Sequence, residues 1–119
     1  MPQYVVLSHD WPFPHYDLML EWQGTLKTWR LPEAPHSGDP IPAEPLPDHR
    51  RRYLEYEGPV GSNRGWVVRW DKGTYDVDGM SDAELSLHLS GSRLHGAVKI
   101  GCQSPECWSL EFTDEAPEA

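Results

Sequence analysis

Short apolar–polar alternations, punctuated by glycine and proline, set the pattern of this chain. Tyr4-Val5-Val6-Leu7-Ser8 reads as a first strand that leads into His9. In the next run, Tyr16, Leu18, Leu20 and Trp22 fall on one face of an extended strand, and Asp17, Met19 and Glu21 fall on the other. The even face is expected to enter a core and the odd face to carry the acids. Gln23-Gly24 turns the chain, and Thr25 to Leu31 returns as a hairpin partner, with Lys27, Trp29 and Leu31 sharing one face. Gly65 to Asp71 is a strong strand, Asp71-Lys72-Gly73 is predicted to turn it, and Thr74 to Val77 continues. Leu85, Leu87 and Leu89 alternate inward along Glu84 to Ser90, Gly91-Ser92 turns, and Leu94 to Ile100 and Trp108 to Phe112 finish the sheet. About eight short strands joined by turns predict an all-β fold, an antiparallel barrel or sandwich.

Three stretches break the alternation. Trp11-Pro12-Phe13-Pro14 cannot be helical, because each proline pushes its predecessor into extended backbone. His9 therefore ends one strand and His15 opens the next, which can bring both to one end of a sheet with Asp17. From Pro32 to Pro47 recurrent proline leaves nothing periodic, and a surface loop is expected. Within Asp48 to Gly58, Tyr53 to Glu57 fits a short strand or a single helical turn.

Composition narrows the class. The 119 residues allow one small domain, here taken as 1–113 with an acidic tail at 114–119. Twelve prolines and ten glycines argue against long helices, and six tryptophans and five tyrosines suit a twisted sheet. No apolar run approaches the ~20 residues that span a bilayer. The start lacks a basic segment followed by an apolar one, so a cytoplasmic protein is expected. A net charge of −9 is unfavourable for a polyanion binder, although Arg50-Arg51-Arg52 concentrates positive charge locally. Cys102 and Cys107 lack the second ligand pair of a zinc knuckle, so they are expected as two reduced thiols flanking a hairpin turn, with a cross-strand disulfide as the alternative.

Candidate chemistry centres on His9, His15 and Asp17. Imidazoles and a carboxylate converging on one point suit a divalent metal or acid–base work; the alternative is a strand end with polar caps. A third ligand beside His9 and Asp17 can come from any of the remaining histidines. His88 alternates with leucines and points out of the core, His95 sits at a turn, and His36 lies in the proline-rich run, so all three are expected to be solvated. His49, between Asp48 and three arginines, is the odd one.

His9-Asp10, four residues, then His15-Tyr16-Asp17-Leu18-Met19-Leu20-Glu21 resembles the signature of the 3′-phosphoesterase domain of bacterial DNA ligase D. The likeness continues through Gly24-Thr25-Leu26-Lys27-Thr28-Trp29. It resumes at Asp48-His49 with Tyr53 and Tyr56-Glu57-Gly58, then at Val68-Arg69-Trp70-Asp71-Lys72-Gly73-Thr74-Tyr75 and in the closing hairpin with Leu94, Gly96 and Ile100. The resemblance implies a small β-barrel with a polar groove that binds manganese, or zinc, cobalt or a similar divalent ion. It implies trimming of DNA 3′ ends by removal of a terminal ribonucleoside and a 3′-phosphate. On the matching positions His9, Asp17 and His49 would be metal ligands, His15 the acid–base group at the phosphate, and Tyr53 a groove residue near the scissile bond. DNA or RNA-tipped DNA 3′ ends would be the substrates, and a DNA ligase or polymerase the partner.

Four positions depart from that pattern. Met19 stands where the family has an arginine suited to clamp phosphate, Leu7 where it has glutamine, Glu33 where it has lysine, and Ile41 near a Lys-Arg pair. Lys27, Arg50, Arg51 and Arg52 are candidate substitutes for the lost phosphate contacts. Three readings follow: a metal-dependent phosphoesterase on nucleic-acid 3′ ends, a metal-binding module of DNA repair without turnover, and a metalloenzyme for a small substrate on the same barrel.

Overall fold

Ten strands and one 3-10 turn follow one another in a computed structural model that describes residues 2–104 and 107–115, the side chains of 103, 104 and 107 excepted. The strands are β1 Gln3–His9, β2 His15–Trp22, β3 Thr25–Leu31, β4 Ile41–Pro42, β5 Glu44–His49, β6 Gly58–Pro59, β7 Trp66–Met80, β8 Glu84–Gly91, β9 His95–Ser104 and β10 Cys107–Asp114. The 3-10 turn at Arg51–Leu54 realises the helical alternative for that region, two residues earlier than expected. All pairings between strands are antiparallel, in the order β4-β10-β9-β8-β7-β1-β2-β3-β5, with β6 added to β7. No helix among the described residues is long and apolar enough to cross a membrane.

The proline-rich run is not a loop throughout. It supplies β4, which pairs with β10, and β5, which pairs with β3, and only Ala43 separates them. Ala43 N donates to the Trp108 carbonyl at 2.9 Å. One segment therefore spans from one end of the strand order to the other and curls the sheet into a barrel. Proline is tolerated there because edge strands leave N–H groups unpaired in any case.

The core has two layers. Inside the barrel, Tyr4, Val6, Leu18, Leu20, Trp29 and Leu31 pack against Leu87, Leu89, Ile100 and Leu110. On the outer side, Val5, Leu7, Met19 and Leu26 form a second cluster with Leu54 and Val67. The odd face of β2, expected to carry acids outward, is thus largely covered. Met19 is 2% exposed, because the chain from the 3-10 turn to β6 folds across β1 and β2 and drives Leu54 onto them. Covering both faces explains why Tyr4, Val5, Val6 and Leu7 are all fully buried in succession.

The turn expected at Asp71-Lys72-Gly73 is absent; these residues lie inside the fifteen-residue β7. Asp71 is buried and accepts the Tyr4 hydroxyl, Arg93 N at 2.8 Å and Leu94 N at 3.2 Å, so it organises the β8–β9 turn from a neighbouring strand. Burial, reinforced by the bond to Asp71, pushes the Tyr4 hydroxyl far above the usual tyrosine range. Gly73 is required by close approach: a Cβ there would lie 2.1 Å from the Ser90 carbonyl oxygen. In the β9–β10 hairpin Cys102 is the register partner of Trp108. The thiol-or-disulfide question turns on the Cys107 side chain, which lies outside the described residues. Asp114 still pairs with Gly96 as the last residue of β10, and Glu115 N, just beyond it, donates to the His95 carbonyl at 2.8 Å; 116–119 lie outside the described residues.

Candidate metal centre and groove

Two paired strands build the centre. His9 and His15 are register partners at the mouth of the β1–β2 hairpin, and Asp17 lies two residues along β2 on the same face as His15. The loop between them is held down by Asp10, whose Oδ1 accepts Trp66 N at 2.8 Å, and by close packing on Gly65, where a Cβ would lie 2.5 Å from the Trp11 Cβ. Strand alternation puts all three donor groups on the outer face, above the second apolar layer.

Hydrogen bonds fix the ring orientations. His15 Nδ1 donates to the Phe13 carbonyl at 2.8 Å, and His9 Nε2 donates to the Arg64 carbonyl at 2.8 Å. A carbonyl can only accept, so in the neutral rings His15 Nε2 and His9 Nδ1 keep their lone pairs. Both face Asp17 Oδ2, at 3.3 and 3.7 Å, and the rings stand edge to face with centroids 4.9 Å apart. The candidate ligand atoms of the three residues lie within 4.8 Å of one another. Asp17 is 4% exposed, and its Oδ1 is buried without a hydrogen-bond partner.

Three electron-pair donors pointed at one another, one anionic and partly orphaned, form an unfavourable arrangement by themselves. A cation between them resolves it. The spacings exceed the ~2.7–2.9 Å of a charge-assisted hydrogen bond. Donors each ~2.0–2.2 Å from one ion stand roughly 3–3.5 Å apart; the 3.3 Å spacing falls in that range and the 3.7 Å one lies just outside it. Ligating histidines usually have the far ring nitrogen held in this way by a backbone carbonyl, which fixes the tautomer and the ring plane. The residues therefore fit a divalent metal, with two imidazoles and one carboxylate leaving coordination positions open.

A groove of about 770 Å³ runs beside the centre, between the outer face of β3 and β5 and the chain from Arg50 to Arg64. Arg30, His49, Arg50, Arg52, Tyr53 and Arg64 line it. His49 stands outside the three-residue cluster. Its Nδ1 donates to the Pro47 carbonyl at 2.9 Å, and its ring packs edge to face on Tyr53, 5.9 Å between centroids. The structure thus gathers His9, His15 and Asp17 and places His49 with Tyr53 along the groove.

The four expected basic contacts divide. Arg50 and Arg52 line the groove, Arg52 lying 5.4 and 4.7 Å from the ring centres of Tyr53 and Tyr56. Arg51 is paired with Glu21 at 2.5 Å. Lys27 shares the inward face of β3 with Trp29 and lines a separate cavity of about 420 Å³ with Trp22, Trp29 and Trp108. Two cations that the sequence reading did not single out take its place. Arg30 is the register partner of Asp17, and the carbonyl of Arg64 holds His9. The hairpin register was the available signal for Arg30, since pairing Trp22 with Thr25 sets Asp17 opposite residue 30. For Arg64 there was none, because the contact spans 55 residues.

The remaining histidines are surface groups. His95 is exposed, and His88 faces Glu115 at 3.0 Å. His36 is held above the usual histidine range by its bond to the Ser37 carbonyl and by Glu33 at 3.1 Å. Glu33 is exposed and Ile41 buried.

The family model of the DNA ligase D 3′-phosphoesterase domain matches residues 7–101. The multifunctional non-homologous end joining protein LigD of Pseudomonas aeruginosa is 33% identical over 104 residues, which is 79% of this chain and 12% of that protein. The multifunctional non-homologous end joining DNA repair protein LigD of Mycobacterium tuberculosis is 32% identical over 114 residues, 88% of this chain and 15% of that protein. The chain thus spans only 12–15% of the length of these relatives.

Proposed function

This chain belongs to the DNA ligase D 3′-phosphoesterase domain family, and from that premise we propose that it is a metal-dependent phosphoesterase that heals DNA 3′ ends. The observation that supports this most is the convergence of His9 Nδ1, His15 Nε2 and Asp17 Oδ2 beside an arginine-lined groove. In this reading His15 and His49 exchange the parts implied by the resemblance. His9, His15 and Asp17 hold the ion, which is manganese or a similar divalent metal.

Held by His9, His15 and Asp17, a divalent ion would supply Lewis-acid chemistry at a phosphoryl oxygen. Arg30 and Arg64 take the phosphate charge that an arginine at 19 and a glutamine at 7 would otherwise meet, because those two positions are closed over by the apolar layer. His49 keeps its Nδ1 proton on Pro47, which leaves Nε2 as the atom that takes or gives a proton in the groove, and Tyr53 orients the ring. Asp17 lies beneath both metal-facing nitrogens and fixes the charge of the centre.

The test is release of phosphate from a 3′-phosphorylated primer–template with manganese added. His9→Ala and Asp17→Asn are each expected to lower the rate at least about 100-fold. No metal-dependent release from this DNA would end the reading; release from small phosphoesters alone would point to the small-substrate enzyme. A second reading, a metal-loaded module that recruits a ligase or polymerase without turnover, draws on the burial of Leu7 and Met19. Capture of such a partner by an inactive protein would favour it.

A further inference from the structure

The loop joining the two histidines exposes large aromatic side chains, and the chemistry assigned above does not use them. Trp11 is 43% and Phe13 52% exposed, although aromatic surface of that size is costly to leave in water. Both are rigidly mounted. The Phe13 carbonyl holds His15 and its ring lies 5.6 Å from the His15 ring, while the Trp11 Cβ packs on Gly65. Each ring has a groove arginine beside it: Arg30 is 5.6 Å from the Phe13 ring centre, and Arg64 is 6.0 Å from that of Trp11. The two rings thus lie in the chain between His9 and His15, and cations at their sides lead into the groove.

We propose that Trp11 and Phe13 form a stacking platform for unpaired bases next to the reacting phosphoester, so that the centre takes 3′ ends whose last nucleotides are single-stranded. The inference rests on the phosphoesterase reading for its substrate. Aromatic rings interleaved with cations are how proteins hold single strands without reading sequence: rings meet base faces, and cations meet the backbone. Bases inside a duplex are stacked on both faces, and a blunt end offers only the outer face of its last pair, whereas an unpaired tail offers several.

The experiment measures binding of two fluorescent 3′-phosphorylated DNAs, without added metal, to the full chain. One is a blunt hairpin duplex; the other carries an unpaired 3′ tail of about four nucleotides. The tailed DNA is expected to bind at least about tenfold more tightly. Trp11→Ala and Phe13→Ala are each expected to reduce that ratio severalfold, while Trp11→Phe retains most of it. Unchanged thermal midpoints identify the variants that remain folded. Equal affinity for the two DNAs, or a ratio untouched by both alanine substitutions, would overturn the platform. The outcome is separable from catalysis. Tail preference without phosphate release would keep the stacking contact and remove the activity, and release with equal affinity for both ends would do the reverse.

Discussion

At the scale of single residues, Asp17 is the carboxylate that leaves a buried oxygen without a hydrogen-bond partner among the described residues. Its carboxylate is buried, one oxygen has no hydrogen-bond partner and the other lies 3.3 and 3.7 Å from two imidazole nitrogens. On the proposed metal reading, neutralising it would ease the metal-free protein and remove the anionic ligand of the ion. Manganese is therefore expected to raise the melting temperature of the wild-type chain, by an amount equivalent to ~2–3 kcal/mol at 100 times the dissociation constant. Asp17→Asn is expected to melt no lower than wild type without metal and to show no rise with it, read by scanning calorimetry. A second residue-scale expectation concerns Tyr4. Its hydroxyl ionises near the ordinary tyrosine value, ~10, in the unfolded chain, but only at much higher pH in the folded one. Above about pH 10 the unfolded state binds fewer protons than the folded state, so stability falls as pH rises, by up to ~1.4 kcal/mol per unit for this group. Tyr4→Phe should flatten that alkaline slope in denaturant titrations between about pH 9 and 12. That His9, His15 and Asp17 come together was legible in the sequence because all three flank one hairpin mouth. The grouping of His49 with Tyr53 rather than with that cluster was not, since it depends on where β5 docks.

Individual elements show where pattern reading succeeded and where it stopped. Alternation located β1, β2, β3, β8 and β9, because each has an apolar face that must enter the barrel. It misjudged the outer face of β2, since the cover over Met19 comes from residues 51–60 and leaves no trace in the local period. It also misread Asp71-Lys72-Gly73, whose residue types favour turns; here the aspartate is a buried acceptor and the glycine a point of backbone contact. The same junction yields a stability expectation. A methyl on Gly91 would lie 1.9 Å from the Tyr4 hydroxyl oxygen and 2.5 Å from the Asp71 Oδ2, in a site where neither neighbour can retreat without losing its bond. Gly91→Ala is expected to cost at least ~1–3 kcal/mol, seen as a lower denaturant midpoint with an unchanged slope. Gly79→Ala, where nothing lies within 4 Å, is the matched control and should stay within about 0.5 kcal/mol.

Charge belongs to the whole molecule. The net value of −9 opposes approach of any polyanion, yet Arg30, Arg50, Arg52 and Arg64 face one groove. Long-range repulsion and short-range attraction respond oppositely to salt. Four phosphate contacts at most give a log–log salt slope for duplex DNA no steeper than about −3.6, and each Arg→Gln in the groove should remove roughly 0.9 of it. Anisotropy titrations over a salt series measure this; a slope unchanged in Arg30→Gln and Arg64→Gln would mean that DNA lies elsewhere.

The run from Ile41 to His49 has a further consequence at this scale. It supplies the outermost strand on both sides of the sheet, and three of its residues, Pro42, Pro45 and Pro47, have no N–H to offer. Proline at those positions interrupts the row of donors that a foreign strand would need, which blunts both ends of the strand order as templates for fibril-like stacking. Whatever it meets must be recognised through side chains, and the rings and guanidinium groups around one mouth are the ones on offer.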